Sequence, residues 1–159
     1  MIEERLALKE VYKSIGGKNI LSNISIVVGA NEIVGLLGPN GAGKTTAFYI
    51  AAGLLIPDKG TVSIDNNKVT KLPMHMRCRV GLSYLPQEAS IFQDLTVEEN
   101  LNGIAELKIS NKLNRKKFID MVVTEFSLEK ILKQKGRMLS GGQRRKVEIA
   151  RTLVCDPSI

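Results

Sequence analysis

A glycine-rich stretch that begins at Gly38, GPNGAGKT, constrains this chain more than any other feature. It matches the pattern G-x-x-x-x-G-K-[ST], follows an apolar run at 32–37 and precedes a stretch, 46–53, that predicts a helix ending at a glycine. Glycines at these spacings let consecutive backbone N–H groups turn toward one point, and the following helix adds the positive end of its dipole. The pattern therefore predicts a strand, a phosphate-binding loop and a helix in succession, within an α/β fold.

The loop also predicts individual roles for its residues. Lys44 can reach the β- and γ-phosphates of a nucleoside triphosphate, and the Thr45 hydroxyl can ligate Mg²⁺. The predicted phosphate-binding residues are Gly38, Pro39, Asn40, Gly41, Ala42, Gly43, Lys44, Thr45 and Thr46.

Composition limits the remaining classes of function. The chain has 159 residues, which suits one domain, and 43% of them are apolar. No stretch reaches the roughly 20 apolar residues of a membrane span, and the charged N-terminus lacks the apolar core of a signal peptide, so we expect a cytoplasmic protein. The net charge is +7, but the basic residues are dispersed and aromatic residues make up only 4%, so we expect no nucleic-acid partner.

Before residue 88 the pattern indicates β-structure around the loop. Turn-forming glycines at 16–17 and 29, and the sequence I-P-D-K-G at 56–60, separate short apolar runs. These runs predict strands at 6–12, 24–28, 32–37, 61–65 and 80–85.

From residue 88 onward the pattern is helical. Thr96 and Glu99 form a capping box that opens a helix to about residue 107. A second helix is predicted over 114–126, with a core-facing stripe made of Phe118, Met121, Val122 and Phe126. We therefore predict a β-rich core over 1–87 and a helical portion over 88–139.

A second constellation, L-S-G-G-Q from Leu139 to Gln143, precedes a predicted helix over 144–154. Ser140 and Gln143 have the spacing of a capping box, which by itself indicates an ordinary helix start. Two glycines in a first turn cost about 1 kcal/mol each relative to alanine, however. They make sense where backbone N–H groups approach a ligand, and a helix N-terminus with a serine hydroxyl suits a phosphate.

Three motifs follow one another along the chain: the phosphate loop, Y-L-P-Q at 84–87 and L-S-G-G-Q-R-R-K-V-E-I-A-R at 139–151. In this order they resemble the motifs of the ATP-binding cassette (ABC) ATPases. The resemblance implies an α/β P-loop NTPase cassette, with a β-rich nucleotide-binding core and an inserted helical subdomain. Residues 1–159 would form a single partial cassette in which 140–159 is the signature helix and its end. ATP and Mg²⁺ are the implied cofactors.

The resemblance also implies roles for residues outside the loop. Ser140, Gly141, Gly142 and Gln143 would be the signature motif, which contacts the ATP of a second copy in a head-to-tail homodimer. Gln87 would be the catalytic Q-loop glutamine, a ligand of Mg²⁺ near the attacking water. The family's adenine-stacking aromatic would fall at Ile15, with Tyr12 three residues earlier, and the choice between them is open.

A closer similarity is to the lipopolysaccharide-export ATPases of Gram-negative bacteria. It rests on L-P-M-H-M-R at 72–77, Y-L-P-Q-E-A-S-I-F at 84–92 and R-R-K-V-E-I-A-R at 144–151, whereas Gln143 replaces the glutamate more usual there. It implies coupling of ATP binding and hydrolysis to lipopolysaccharide export, under two transmembrane subunits at the inner face of the inner membrane. The alternatives are the ATPase of a branched-chain amino-acid importer, an ABC ATPase acting on DNA or ribosomes, and a non-catalytic ATP-binding fragment.

The similarity places several family elements after Ile159. These are the Walker B aspartate, the glutamate that follows it and the switch histidine. We therefore expect a C-terminally incomplete cassette, which holds phosphates, lacks the carboxylates for efficient hydrolysis and exposes apolar edges of its sheet.

Overall fold

The computed structural model describes residues 3–159, which form two compact units. One unit contains the residues up to Leu82 together with Ile159, and the other is Ser83–Ser158. The division therefore falls a few residues before the boundary predicted after residue 87, and that sequence boundary stays a prediction.

An antiparallel sheet forms the frame of the first unit. Its strands lie in the order β2-β1-β3-β4 and are β1 (Glu4–Ile15), β2 (Lys18–Gly29), β3 (Lys59–Ile64) and β4 (Asn67–Lys68). Gly16 and Gly17 join β1 to β2 with φ values of 56° and 77°, the left-handed backbone that a two-residue hairpin turn requires. The predictions of strands at 6–12, 24–28 and 61–65 are confirmed by β1, β2 and β3.

Helix α1 (Lys44–Ala52) covers the apolar face of this sheet. Ala47 and Ile50 are buried in one cluster with Leu8, Val62 and other sheet residues. The helix ends at Gly53, whose φ of 80° and N–H bond to the Ile50 carbonyl make the glycine C-cap that the sequence predicts. A short helix, α2 (Met74–Arg79), follows β4.

Two predicted strands are wrong. In residues 3–159, the stretches 32–37 and 80–85 have no regular secondary structure, because neither is part of a ladder of backbone hydrogen bonds with a neighbour. Ile33 and Leu37 are 99% and 93% exposed. The stretch 32–37 is therefore an exposed apolar segment outside the sheet β2-β1-β3-β4, and the expected exposure of apolar sheet edges stays a prediction.

Three helices build the second unit: α3 (Val97–Ala105), α4 (Lys112–Glu125) and α5 (Gly141–Leu153). Short 3₁₀ turns at Glu129–Ile131 and Gly136–Met138 lie between α4 and α5. The predicted capping box of α3 is confirmed. Thr96 Oγ1 accepts from the Glu99 N–H at 3.2 Å, and Glu99 Oε2 accepts from the Thr96 N–H at 2.7 Å.

The core of this unit lies between the three helices and includes Val97, Leu101, Val122, Val147, Ala150 and Val154. The stripe predicted on α4 is confirmed for Val122, Phe118 and Phe126, which are buried or packed against this core. It is wrong for Met121, which is 53% exposed. The buried face of α4 centres on Ile119 and Val122, and Met121 lies about 200° around the helix axis from Ile119.

Candidate functional site

The glycine-rich loop ends where α1 begins, with Gly43 at the N-cap. Gly43 has φ 84° and ψ 5°. A Cβ atom here would lie 2.7 Å from Leu21 Cδ2 and 2.9 Å from the Ile20 carbonyl oxygen. Both the left-handed backbone and the close approach of β2 therefore require glycine at this position. Because glycine has no side chain, the last turn of the loop packs directly against the sheet.

The start of α1 offers unpaired backbone donors. The first N–H groups of an α-helix have no partner within the helix. Among the described residues, no protein acceptor takes the N–H of Gly41, Gly43, Lys44 or Thr45. The first turn also contains no acidic side chain. These donors and the positive end of the helix dipole together form an anion-binding arrangement.

Lys44 holds its ammonium group over the same loop. Lys44 Nζ donates to the carbonyl oxygens of Gly38 at 2.7 Å and Pro39 at 2.6 Å, while the Ala42 N–H closes a turn onto Pro39 at 3.3 Å. An ammonium carries three N–H groups, so one remains for a ligand. Thr45 and Asn40, which belong to the same loop, are exposed.

The predicted signature residues form the start of α5. Ser140 Oγ accepts from the Gln143 N–H at 3.3 Å, and Gln143 Oε1 accepts from the Ser140 N–H at 2.9 Å, so the predicted capping box is confirmed. Gly141 and Gly142 are exposed, and a Cβ on either would contact no atom of residues 3–159 within 4 Å. Packing within the chain therefore does not explain these two glycines.

Gln87 is exposed, in a segment without regular secondary structure that follows the unit boundary. Thr45 and Gln87, the predicted Mg²⁺ ligands, belong to different units, so their joint role remains a proposal. Over residues 3–159 no three His, Cys, Asp or Glu side chains are grouped so that they could hold a metal ion. Hydroxyl and amide oxygens suit Mg²⁺ as part of a shell completed by phosphate oxygens and water.

Tyr12 and Ile15, the two candidates for the adenine contact, lie in the second half of β1. They are 38% and 51% exposed, and both present apolar surface on the unit that contains the phosphate loop. Both are accessible to a base, and the choice between them stays open.

Sequence reasoning missed four buried polar side chains: Thr70, Arg77, Asn100 and Glu148. Asn100 closes the loop before α3, accepting from the Phe92 N–H at 2.9 Å and donating to the Phe92 carbonyl at 3.0 Å. Arg151 lies over the Phe92 ring at 5.2 Å, and burial lowers the pKa of its guanidinium.

Comparison with known proteins agrees with this geometry. The family model for the ABC transporter matches residues 21–159. A lipopolysaccharide export system ATP-binding protein of Haemophilus influenzae is 47% identical over 153 residues, which cover 96% of this chain and 64% of the relative. A probable ABC transporter ATP-binding protein of Azorhizobium caulinodans is 45% identical over 156 residues, covering 98% and 56%. A solved dimeric bacterial ABC transporter cassette aligns with a TM-score of 0.82 and 28% identity, over 96% of this chain and 70% of that one.

The chain therefore belongs to the ABC transporter family, and the predicted fold class, a P-loop ATPase cassette, is confirmed. It spans 64% and 56% of the lengths of the two relatives. Within the described part of the chain, no helix combines the length and apolar character needed to cross a bilayer.

Proposed function

We propose that this chain is the ATP-binding part of a transporter subunit that couples ATP binding and hydrolysis to lipopolysaccharide export. The observation that carries the proposal is the start of α1, where a glycine loop, unpaired N–H groups and the Lys44 ammonium meet. Such an arrangement has the donors and the charge that a triphosphate needs, and little in it suits an apolar ligand.

In this proposal the loop N–H groups bind the phosphate oxygens, and Lys44 places its third N–H on the β- and γ-phosphates. Thr45 would supply its hydroxyl oxygen, and Gln87 its side-chain amide oxygen, as ligands of Mg²⁺. When bound, Mg²⁺ neutralises charge on the phosphate oxygens. Gln87 orients the attacking water, and Ile15 or Tyr12 packs on the adenine.

The start of α5 serves the ATP of a second copy in the same proposal. The Ser140 hydroxyl accepts from the Gln143 N–H, which leaves its own O–H free to donate to a phosphate oxygen. Because a Cβ on Gly141 or Gly142 would have no atom of the described residues within 4 Å, the open space beside the helix start admits a bulky anion. A head-to-tail homodimer follows, and the similarity to a solved dimeric cassette supports it.

Lipopolysaccharide is proposed as the cargo because of two stretches, Y-L-P-Q-E-A-S-I-F at 84–92 and R-R-K-V-E-I-A-R at 144–151. The name of the Haemophilus influenzae relative, a lipopolysaccharide export system ATP-binding protein, supports the same cargo. Two transmembrane subunits at the inner membrane complete the proposed assembly, with this chain on its cytoplasmic side.

Equilibrium binding of a non-hydrolysable, fluorescent ATP analogue to this chain, with and without Mg²⁺, tests the phosphate site. We expect Lys44→Met to weaken binding by about tenfold or more, because it removes the one cation of the loop. Lys68→Met is the matched control, since Lys68 is an exposed lysine on β4 of the same unit. Equal affinities for wild type and Lys44→Met would contradict the site.

Neighbouring genes test the cargo separately. Genes for periplasmic lipopolysaccharide-transport components beside this one would support export. A gene for a periplasmic binding protein would instead support a branched-chain amino-acid importer.

A further inference from the structure

The segment that bears Gln87 is held by side chains rather than by its own backbone. Among the described residues, none of 86–91 takes part in a backbone–backbone hydrogen bond. Gln87, Glu88 and Ala89 are exposed. The position of Gln87 therefore depends on whatever anchors the chain on each side of it.

Both anchors come from α5. On one side, Arg145 Nη1 donates to the Pro86 carbonyl oxygen at 3.0 Å. On the other side, Glu148 Oε1 accepts from the Ser90 N–H at 2.8 Å. Arg145 and Glu148 are one turn apart, and Arg145 Nη1 lies 3.4 Å from Glu148 Oε2. One ion pair thus contacts the loop immediately before Gln87 and shortly after it.

Stability alone does not explain the buried carboxylate. The Glu148 side chain is 4% exposed and lies among the apolar core positions of α5, which include Val147 and Ala150. Burying a charge costs free energy unless it is paired and hydrogen-bonded, and a well-packed apolar residue is often at least as stable in such a place. A glutamate here therefore suits a role in fixing the geometry of the loop that it contacts.

We propose that Glu148 and Arg145 are positioning residues that clamp the Gln87 loop, residues 86–90, onto the signature helix α5. The proposal rests on the proposed function, in which Gln87 orients water and Mg²⁺ at one ATP while the start of α5 contacts another. The clamp makes the loop and the helix one body, so a movement of α5 carries the backbone at Gln87 with it. It also joins physically the stretches 84–92 and 144–151, which carry the similarity to the lipopolysaccharide-export group.

Nuclear magnetic resonance of the ¹⁵N-labelled chain tests the clamp directly. In Glu148→Leu we expect the Ser90 amide to exchange with solvent at least about tenfold faster, because its acceptor is removed while the core stays filled. Glu148→Gln keeps an acceptor oxygen and should hold the rate within about twofold of wild type. Arg145→Met should lower the backbone order parameter of Gln87 and leave the exchange of Ser90 unchanged.

Lys146→Met is the matched control, because Lys146 is an exposed cation of the same helix. Wild-type exchange at Ser90 in Glu148→Leu would overturn the proposal, as would equal effects of Lys146→Met and Arg145→Met. Should Glu148→Leu fail to fold, Glu148→Gln and Arg145→Met still decide the matter, since unchanged order at Gln87 in Arg145→Met contradicts the clamp.

Nucleotide binding gives the functional readout. The increase in affinity for the ATP analogue on adding Mg²⁺ should fall about equally in Gln87→Ala, Glu148→Leu and the double variant, because all three act through Gln87. Additive losses would overturn the positioning role. An absence of any analogue binding by wild type would contradict the proposed function instead, and the exchange of Ser90 would still report on the clamp.

Discussion

Arg77 Nη1 donates a hydrogen bond of 2.7 Å to the carbonyl oxygen of Ile50, in the last turn of the helix that follows the phosphate loop. The same guanidinium, fully buried, donates to the carbonyls of Ala51 at 2.8 Å, Thr70 at 3.1 Å and Leu72 at 2.9 Å. Burial lowers the pKa of Arg77, yet arginine stays charged in proteins. Its charge lies at the negative end of the α1 dipole, so this side chain fixes the far end of the phosphate-binding helix.

Arg77→Met should therefore destabilise the first unit strongly. The substitution leaves several buried carbonyl groups without a donor, at about 1–3 kcal/mol for each unsatisfied group, so we expect a loss of about 3 kcal/mol or more. Urea denaturation measures the loss. Arg79→Met is the control on the same short helix, since Arg79 is exposed and, among the described residues, its guanidinium donates only to the Met76 sulfur, at 3.9 Å. Similar losses for both variants would contradict the capping role of Arg77.

A second prediction concerns Gly60, at the start of β3. Gly60 has φ 92°, and an added Cβ would lie 2.4 Å from the Glu10 carbonyl oxygen on β1. Gly17 has a similar φ of 77° but open space around its Cβ position. Gly17→Ala should cost about 1 kcal/mol through backbone strain alone. Gly60→Ala should cost about 1–3 kcal/mol more, because backbone atoms must separate. Equal thermal stability of the two variants would contradict this prediction, because it would show that β1 and β3 can separate at Gly60 without a loss of stability.

The acid dependence of stability should have a contribution from Asp58. Hydrogen bonds from Lys13 Nζ at 2.7 Å and the Ser14 N–H at 2.7 Å lower the pKa of Asp58. A carboxyl with a lowered folded-state pKa stabilises the fold above its unfolded pKa, about 4, and that stability is lost as the pH falls through the folded value. Asp58→Asn should thus be less stable than wild type at neutral pH, and the difference should shrink on acidification.

The control for this prediction is Asp120→Asn, since no described residue donates a hydrogen bond to the Asp120 carboxylate. Unfolding free energies measured from neutral pH down to about 3 compare the variants across the range in which carboxylates titrate. A difference between wild type and Asp58→Asn that is constant over this range would contradict the assignment.

Much of the candidate site could be predicted because its determinants are local. The capping boxes at Thr96 and Ser140 depend on residues three positions apart, and the glycine loop fixes its own path into α1. A few neighbouring residues are enough to determine a capping box or a phosphate-binding loop.

Other parts could not be predicted, because they depend on residues far away in the sequence. The apolar stretches 32–37 and 80–85 look like strands, but a strand forms only where a neighbour supplies hydrogen bonds. Arg77 reaches a carbonyl 27 residues earlier, and Glu148 reaches an amide 58 residues earlier. Nothing beside either residue marks it as buried, since charged side chains usually face solvent.

The last prediction concerns Gln143, where the similar export ATPases more often have glutamate. Gln143 Oε1 accepts from the Ser140 N–H, and a glutamate would keep that acceptor. It would also place a negative charge at the positive end of α5, whose first turn contains no acidic residue. Gln143→Glu should therefore raise the free energy of unfolding by about 0.3–1 kcal/mol at low ionic strength, and salt should reduce the gain.

Gln134→Glu is the matched control, because it adds the same charge at an exposed position in the segment between α4 and α5. Urea denaturation of both variants at low and high salt separates the helix-dipole effect from a general effect of net charge on this basic chain. If Gln134→Glu gains as much as Gln143→Glu, the stabilisation comes from the lower net charge and the start of α5 has no special part in it. A gain confined to Gln143→Glu would show that a carboxylate beside Ser140 stabilises the start of α5 through the helix dipole.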